Sequence, residues 1–185
     1  MRKTVVILLA MLMICTCLAC AEESAFTFRN GLHWGMSPAD VEAAEGQAFS
    51  SSYTDLGLAL GVLDSTFGSR FESTLGFIFL DDRLIALSAI PDLWVEDDQE
   101  DIAFLIQELS VLYGAADENL PRPQPIQNLL AMNGYQIIAA WQPDMITYIA
   151  VMVSPESYIE IGYFDINYDL TQDIRLGETT DGPGL

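Results

Sequence analysis

The sequence predicts an α+β domain of two tandem units, each a helix followed by a three-stranded antiparallel meander, with the helices packed on one face of the sheet. Three observations predict it. A helix pattern stopping at Gly46 precedes three strand-like segments, and a second helix pattern stopping at Gly114 precedes three more. Within each set the strands are joined by spacers too short for a parallel crossover. Runs of antiparallel strands with helices to one side give this class. The units span about 30–92 and 96–166 within a single domain at 26–168, and 169–185 reads as a flexible C-terminal tail without apolar periodicity.

Residues 1–21 read as a signal peptide. Arg2 and Lys3 form a positive start, and an apolar run follows that ends in small residues. Two cleavage readings overlap. "ACA" before Glu22 fits release by small-x-small processing, whereas "CLAC" resembles a bacterial lipobox with Cys20 as the lipidated residue. Cys17 departs from the leucine usual in that motif. Cys15, Cys17 and Cys20 are the only cysteines, so the mature domain has no disulfide, thiolate nucleophile or cysteine metal ligand. About 160 residues can bury a core without such staples.

The first helix has its signals written around it in "NGLHWGMSPADVEAAEG", residues 30–46. Ser37 is an N-cap, Pro38 suits the first turn, and Asp40 completes a capping-box pair. Met36 and Val41 can form a hydrophobic staple, and Gly46 supplies the stop. The segments 58–67, 70–80 and 83–90 are rich in branched and aromatic residues and are separated by "GS" and "DD" turn signals. The second helix opens on "EDDQED", acids that suit a helix N-terminus. Its stripe is Ile102, Leu105, Ile106, Leu109 and Leu112, and Gly114 ends it. "AADENLPRPQPIQN" reads as a Pro-rich loop. Strands follow at 135–142, 145–153 and 157–166, with "QPD" and "SPE" as turns.

The stretch "FRNGLHWGMSPADVEAAEG" resembles the W-G-M-[ST]-x-x-[DE]-V helix start of uncharacterised bacterial secreted proteins and lipoproteins. It and "LIQELSVLYGAAD" more distantly resemble helix ends of the SmpA/OmlA family, and the doubled order of elements is similar to β-lactamase-inhibitor-protein-like tandem domains. The motif covers about a tenth of the chain. The resemblance implies a noncatalytic binding or assembly role in the cell envelope. It carries over no functional residue, because the shared positions are the capping ones.

The whole chain has 7 basic and 27 acidic residues, a net charge of −20. Loss of Arg2 and Lys3 with the leader leaves five arginines and moves the charge to −22. Such a surface repels phosphate backbones and anionic lipids. The partners it leaves are an unknown protein or a cell-envelope component, with no nucleic acid, and a membrane only through a lipid on Cys20. No sequence motif calls for a cofactor.

Candidate chemistry is sparse. His33 is the single histidine, so neither a triad nor a zinc site has its usual members. Paired carboxylates keep an exported hydrolase open as the alternative to a binding protein. "DINYDLTQD" places Asp165, Asn167, Asp169 and Asp173 at calcium-like spacing, but Leu170 and Leu176 stand where the bend glycine and closing glutamate belong. The last strands are apolar on both faces. With helices on one face only, either loops or a partner cover the second face, or it is an exposed binding patch with Trp141, Tyr148 and Tyr158 as its anchors.

Overall fold

The computed structural model describes residues 27–55, 58–67 and 70–170. Residues 1–26, including the expected leader and Cys20, residues 56–57 and 68–69, and residues 171–185 with Asp173 lie outside the described residues.

Seven strands form a single sheet: β1 (Ser51–Asp55), β2 (Leu58–Phe67), β3 (Phe71–Leu80), β4 (Arg83–Pro91), β5 (Gln136–Trp141), β6 (Thr147–Val153) and β7 (Ile159–Asp165). Their order is β1-β2-β3-β4-β7-β6-β5, and every pair is antiparallel. Among the described residues three α-helices accompany them: α1 (Pro38–Glu45), α2 (Gln99–Tyr113) and α3 (Gln124–Asn133).

The strand order follows from burial. On β6, six of seven residues are buried, and β7 is nearly as apolar on both sides. Strands buried on both faces belong inside a sheet, with polar strands at its edge. The polar β1 accordingly pairs with β2 alone. Small residues occupy the middle of the central ladder, where Gly162 lies opposite Ser88 on one side and Ala150 on the other. A Cβ on Gly162 would meet the Phe164 ring at 2.3 Å, so the bare glycine lets that ring fold back over the strand.

Two cores sit on the two faces. On the first face, Leu63, Leu75, Phe77 and Leu87 pack against Val41 of α1 and Ile102, Leu105 and Leu109 of α2. On the second, Ile85, Ala150, Met152 and Phe164 pack against Ile126 and Leu130 of α3.

The expected architecture is therefore corrected. The molecule is not two tandem units of one helix and three strands: among the described residues there is one continuous seven-stranded sheet with three α-helices. Nor do the helices share a face. The segment read as a Pro-rich loop contains α3, whose Pro125 lies in the first turn, where a missing N–H goes unused. Ile126, Leu129 and Leu130 then recur at helical spacing toward the sheet. This helix covers the second face of β5–β7, which is why those strands are apolar on both sides. Among the described residues, no helix covers the same face of β1–β3.

Candidate functional site

At Pro91 the β4 ladder runs out, because proline has no N–H to give. The chain pairs again one turn later. Trp94 bridges Tyr158, Val95 N–H donates to Ser157 O at 3.0 Å, and Ile159 N–H donates to Leu93 O at 3.0 Å. Directly opposed residues share a face, so the rings of Trp94 and Tyr158 lie side by side. Their centroids are 6.3 Å apart and their planes nearly perpendicular, at 77°. Trp94 is 46% exposed. Its backbone N–H donates to Asp98 Oδ2 at 2.7 Å, and its indole N–H points at Asp92 Oδ1, 3.4 Å away.

Tyr158 is held from behind. Its hydroxyl lies 3.2 Å from that of Tyr135, which donates to Glu160 Oε2 at 2.6 Å. Ser88 Oγ donates to Glu160 Oε1 at 2.6 Å. Both carboxylate oxygens of Glu160 thus accept hydroxyl bonds, as a half-buried charge requires. Burial first, then the hydrogen bond to Glu160, holds the Tyr135 phenol well above its ordinary pKa.

These rings border a concavity of about 630 Å³ at the ends of β2, β3 and β4. Asp64, Glu72, Asp92 and Ile90 complete its wall, and no lysine, arginine or histidine contributes to it. The register puts Asp64, Thr74 and Ile90 in one row across three strands, with Glu72 in the next row. Asp64 is held by Thr74 Oγ1 at 3.3 Å.

A second cleft of about 380 Å³ opens beside α2, where Phe67, Phe71, Phe104 and Tyr163 form an apolar wall. Arg29 lies at its edge and is bound to Glu45 through two bonds, at 3.0 and 2.8 Å. The hydroxyls of Tyr113 and Tyr163 are 3.4 Å apart, and burial pushes both phenols above their ordinary pKa. These groups are turned toward one another inside the core margin.

The residues expected to anchor a patch do not come together. Trp141 is buried in the first core, its indole N–H donating to Gly114 O at 2.9 Å. Tyr148 is fully buried in the second core, on the opposite side of the sheet. Tyr158 alone of the three reaches the surface. The exposed tryptophan beside it is Trp94, which lies just past the strand that Pro91 ends.

The calcium-like run is likewise dispersed. Asp165 is buried and accepts from the Asn167 backbone N–H and side-chain amide at 3.0 and 2.9 Å, and burial pushes its carboxyl up. Asp169 accepts from Asn128 Nδ2 at 2.7 Å. Among the described residues no group of three or more His, Cys, Asp or Glu side chains is placed to hold a metal. His33 is exposed, with Nδ1 3.0 Å from its neighbour's Trp34 O. Ser37 and Asp40 form the full capping box, and the Ser37 hydroxyl holds the Asp40 carboxyl below its usual range.

No family model, curated protein or solved structure matches the chain. No helix among the described residues is long and apolar enough to cross a membrane.

Proposed function

We propose that this chain is a noncatalytic exported binding protein of the bacterial cell envelope or exterior, and that it binds through the uncovered half of the second sheet face. The observation that carries this reading is Trp94, a large ring left 46% exposed beside Tyr158 over a broad concavity. Large rings at a rigid surface are the side chains that anchor interfaces at small entropic cost. Glu160 and Tyr135 add rigidity without offering a reactive group, because each is spent on holding the other. Of the carboxylates at this end of the sheet, Glu160 is held by two hydroxyls and Asp64 by Thr74.

A photo-activatable phenylalanine placed at position 94 tests the reading in the producing cell. A discrete adduct is expected from position 94 and not from position 111, where Val111 is 76% exposed on the far side of the sheet. The same adduct pattern from both positions, or none from position 94, overturns it.

A further inference from the structure

Resting on that reading, we infer that the occupant of this face is a basic polypeptide segment in extended form, with an Arg or Lys side chain seated against Trp94 and apolar neighbours on Ile90 and Leu60. Charge complementarity selects the basic residue. The concavity presents Asp64, Glu72 and Asp92 beside two aromatic rings and contains no basic side chain of its own. Arg29 and Arg70, which lie near this end of the sheet, are engaged by Glu45 and Asp101. An aromatic face flanked by carboxylates attracts a cation both through the ring quadrupole and through Coulomb attraction. The indole N–H edge is turned to Asp92, which leaves a ring face for the cation.

The apolar strip selects a polypeptide over a small amine. Ile90 and Leu60 are 37% and 38% exposed, and the register places both on the face that carries Trp94. Between their rows lies Gly76, where an added Cβ would meet Leu60 Cδ1 at 3.8 Å and Ser88 Cβ at 4.0 Å. The missing side chain leaves a trough that a backbone can enter. Successive rows on one face are about 6.8 Å apart along a strand, the repeat of alternate residues in any extended chain. A segment running with the strands therefore puts its basic residue at the Glu72 and Asp92 row, beside Trp94, and its next same-side residues over the Ile90, Gly76 and Leu60 rows.

Calorimetric titration tests this with three probes on the intact protein: a short peptide alternating Arg with Leu, the same peptide with Glu for Arg, and chitohexaose. The Arg–Leu peptide is expected to bind, and Trp94→Ala to weaken it about tenfold. Asp64→Asn/Glu72→Gln/Asp92→Asn should weaken it further than the charge-matched Glu100→Gln/Glu108→Gln/Glu118→Gln. Equal losses from the two triple variants would mean attraction to net charge alone and overturn the inference. Trp94-dependent binding of the Glu–Leu peptide or chitohexaose in place of the Arg–Leu peptide overturns the basic occupant and leaves the binding surface standing. If no probe binds in a Trp94-dependent way, the basic occupant falls; the absence of any adduct from position 94 then removes the binding reading as well.

Discussion

The indole N–H of Trp34 donates to Thr147 Oγ1 at 2.9 Å, tying the turn before α1 to β6 across 113 positions of sequence. Thr147 is fully buried, and its hydroxyl in turn donates to Asp144 Oδ2 at 3.1 Å. The conspicuous tryptophan of this turn is therefore a structural tie. Trp34→Phe keeps most of the ring and removes the donor. It should cost about 1–2 kcal/mol in a denaturant titration, the usual penalty for an unpaired buried acceptor. Peptide binding at Trp94 should be unchanged. A stability-neutral Trp34→Phe that lost binding would move the site to this turn.

Ser37→Ala tests the neighbouring cap. The Ser37 hydroxyl accepts from Asp40 N–H at 3.2 Å, and Asp40 Oδ2 accepts from Ser37 N–H at 3.3 Å. Removal should cost about 1 kcal/mol, as N-cap losses do, read as a lowered thermal midpoint with unchanged binding.

The pattern of residues made some of this visible and hid the rest for identifiable reasons. The expected segment 58–67 coincides with β2 because alternation and turn signals are local. β1 has no such signal: Ser51–Thr54 are exposed, and the strand exists because β2 offers it a free edge. Pro121, Pro123 and Pro125 masked α3, although Ile126, Leu129 and Leu130 carried its period. That one omission produced the expectation of a bare apolar face and put Tyr148 in a patch rather than a core. Which aromatic stays exposed depends on how strands are ordered. Pro91 was the local clue, since it ends the ladder just before Trp94.

The leader reading makes a direct prediction. Mass spectrometry of the exported protein should find an N-terminus at Glu22 or a diacylglyceryl group on Cys20. Either fits export, and retention of Met1 in exported protein would remove it.

Asp165 predicts a pH dependence. Burial raises its carboxyl pKa in the fold above the unfolded value of about 3.9. Folding therefore favours the protonated form, and its contribution is fully present below the unfolded pKa and lost as pH rises through the folded one. Asp165→Asn removes this titration while retaining an oxygen to accept from Asn167. Compared with wild type, the variant should gain stability progressively above about pH 4 and show none of that gain at lower pH. Parallel denaturation curves across pH 3–7 with a constant offset would contradict the assignment.

The covered and uncovered halves of the second sheet face should respond differently to truncation. Ile126 is 2% exposed and, with Leu130, is the buried footing of α3 on β4, β6 and β7. Ile126→Ala leaves a cavity in that contact and should cost about 2–5 kcal/mol. The loss should fall on the strands beneath as well as on the helix, because Tyr148, Ala150 and Met152 share one core with Ile126 and Leu130. Trp94→Ala, on the same face but past the end of β4, should cost far less, since the residue is already 46% exposed. Hydrogen exchange distinguishes the two: Ile126→Ala should accelerate exchange in β6 as well as α3, whereas Trp94→Ala should change it only around 92–98 and 156–159. If both variants destabilised the protein equally, Trp94 would be a core residue, and its exposure could no longer support a binding surface.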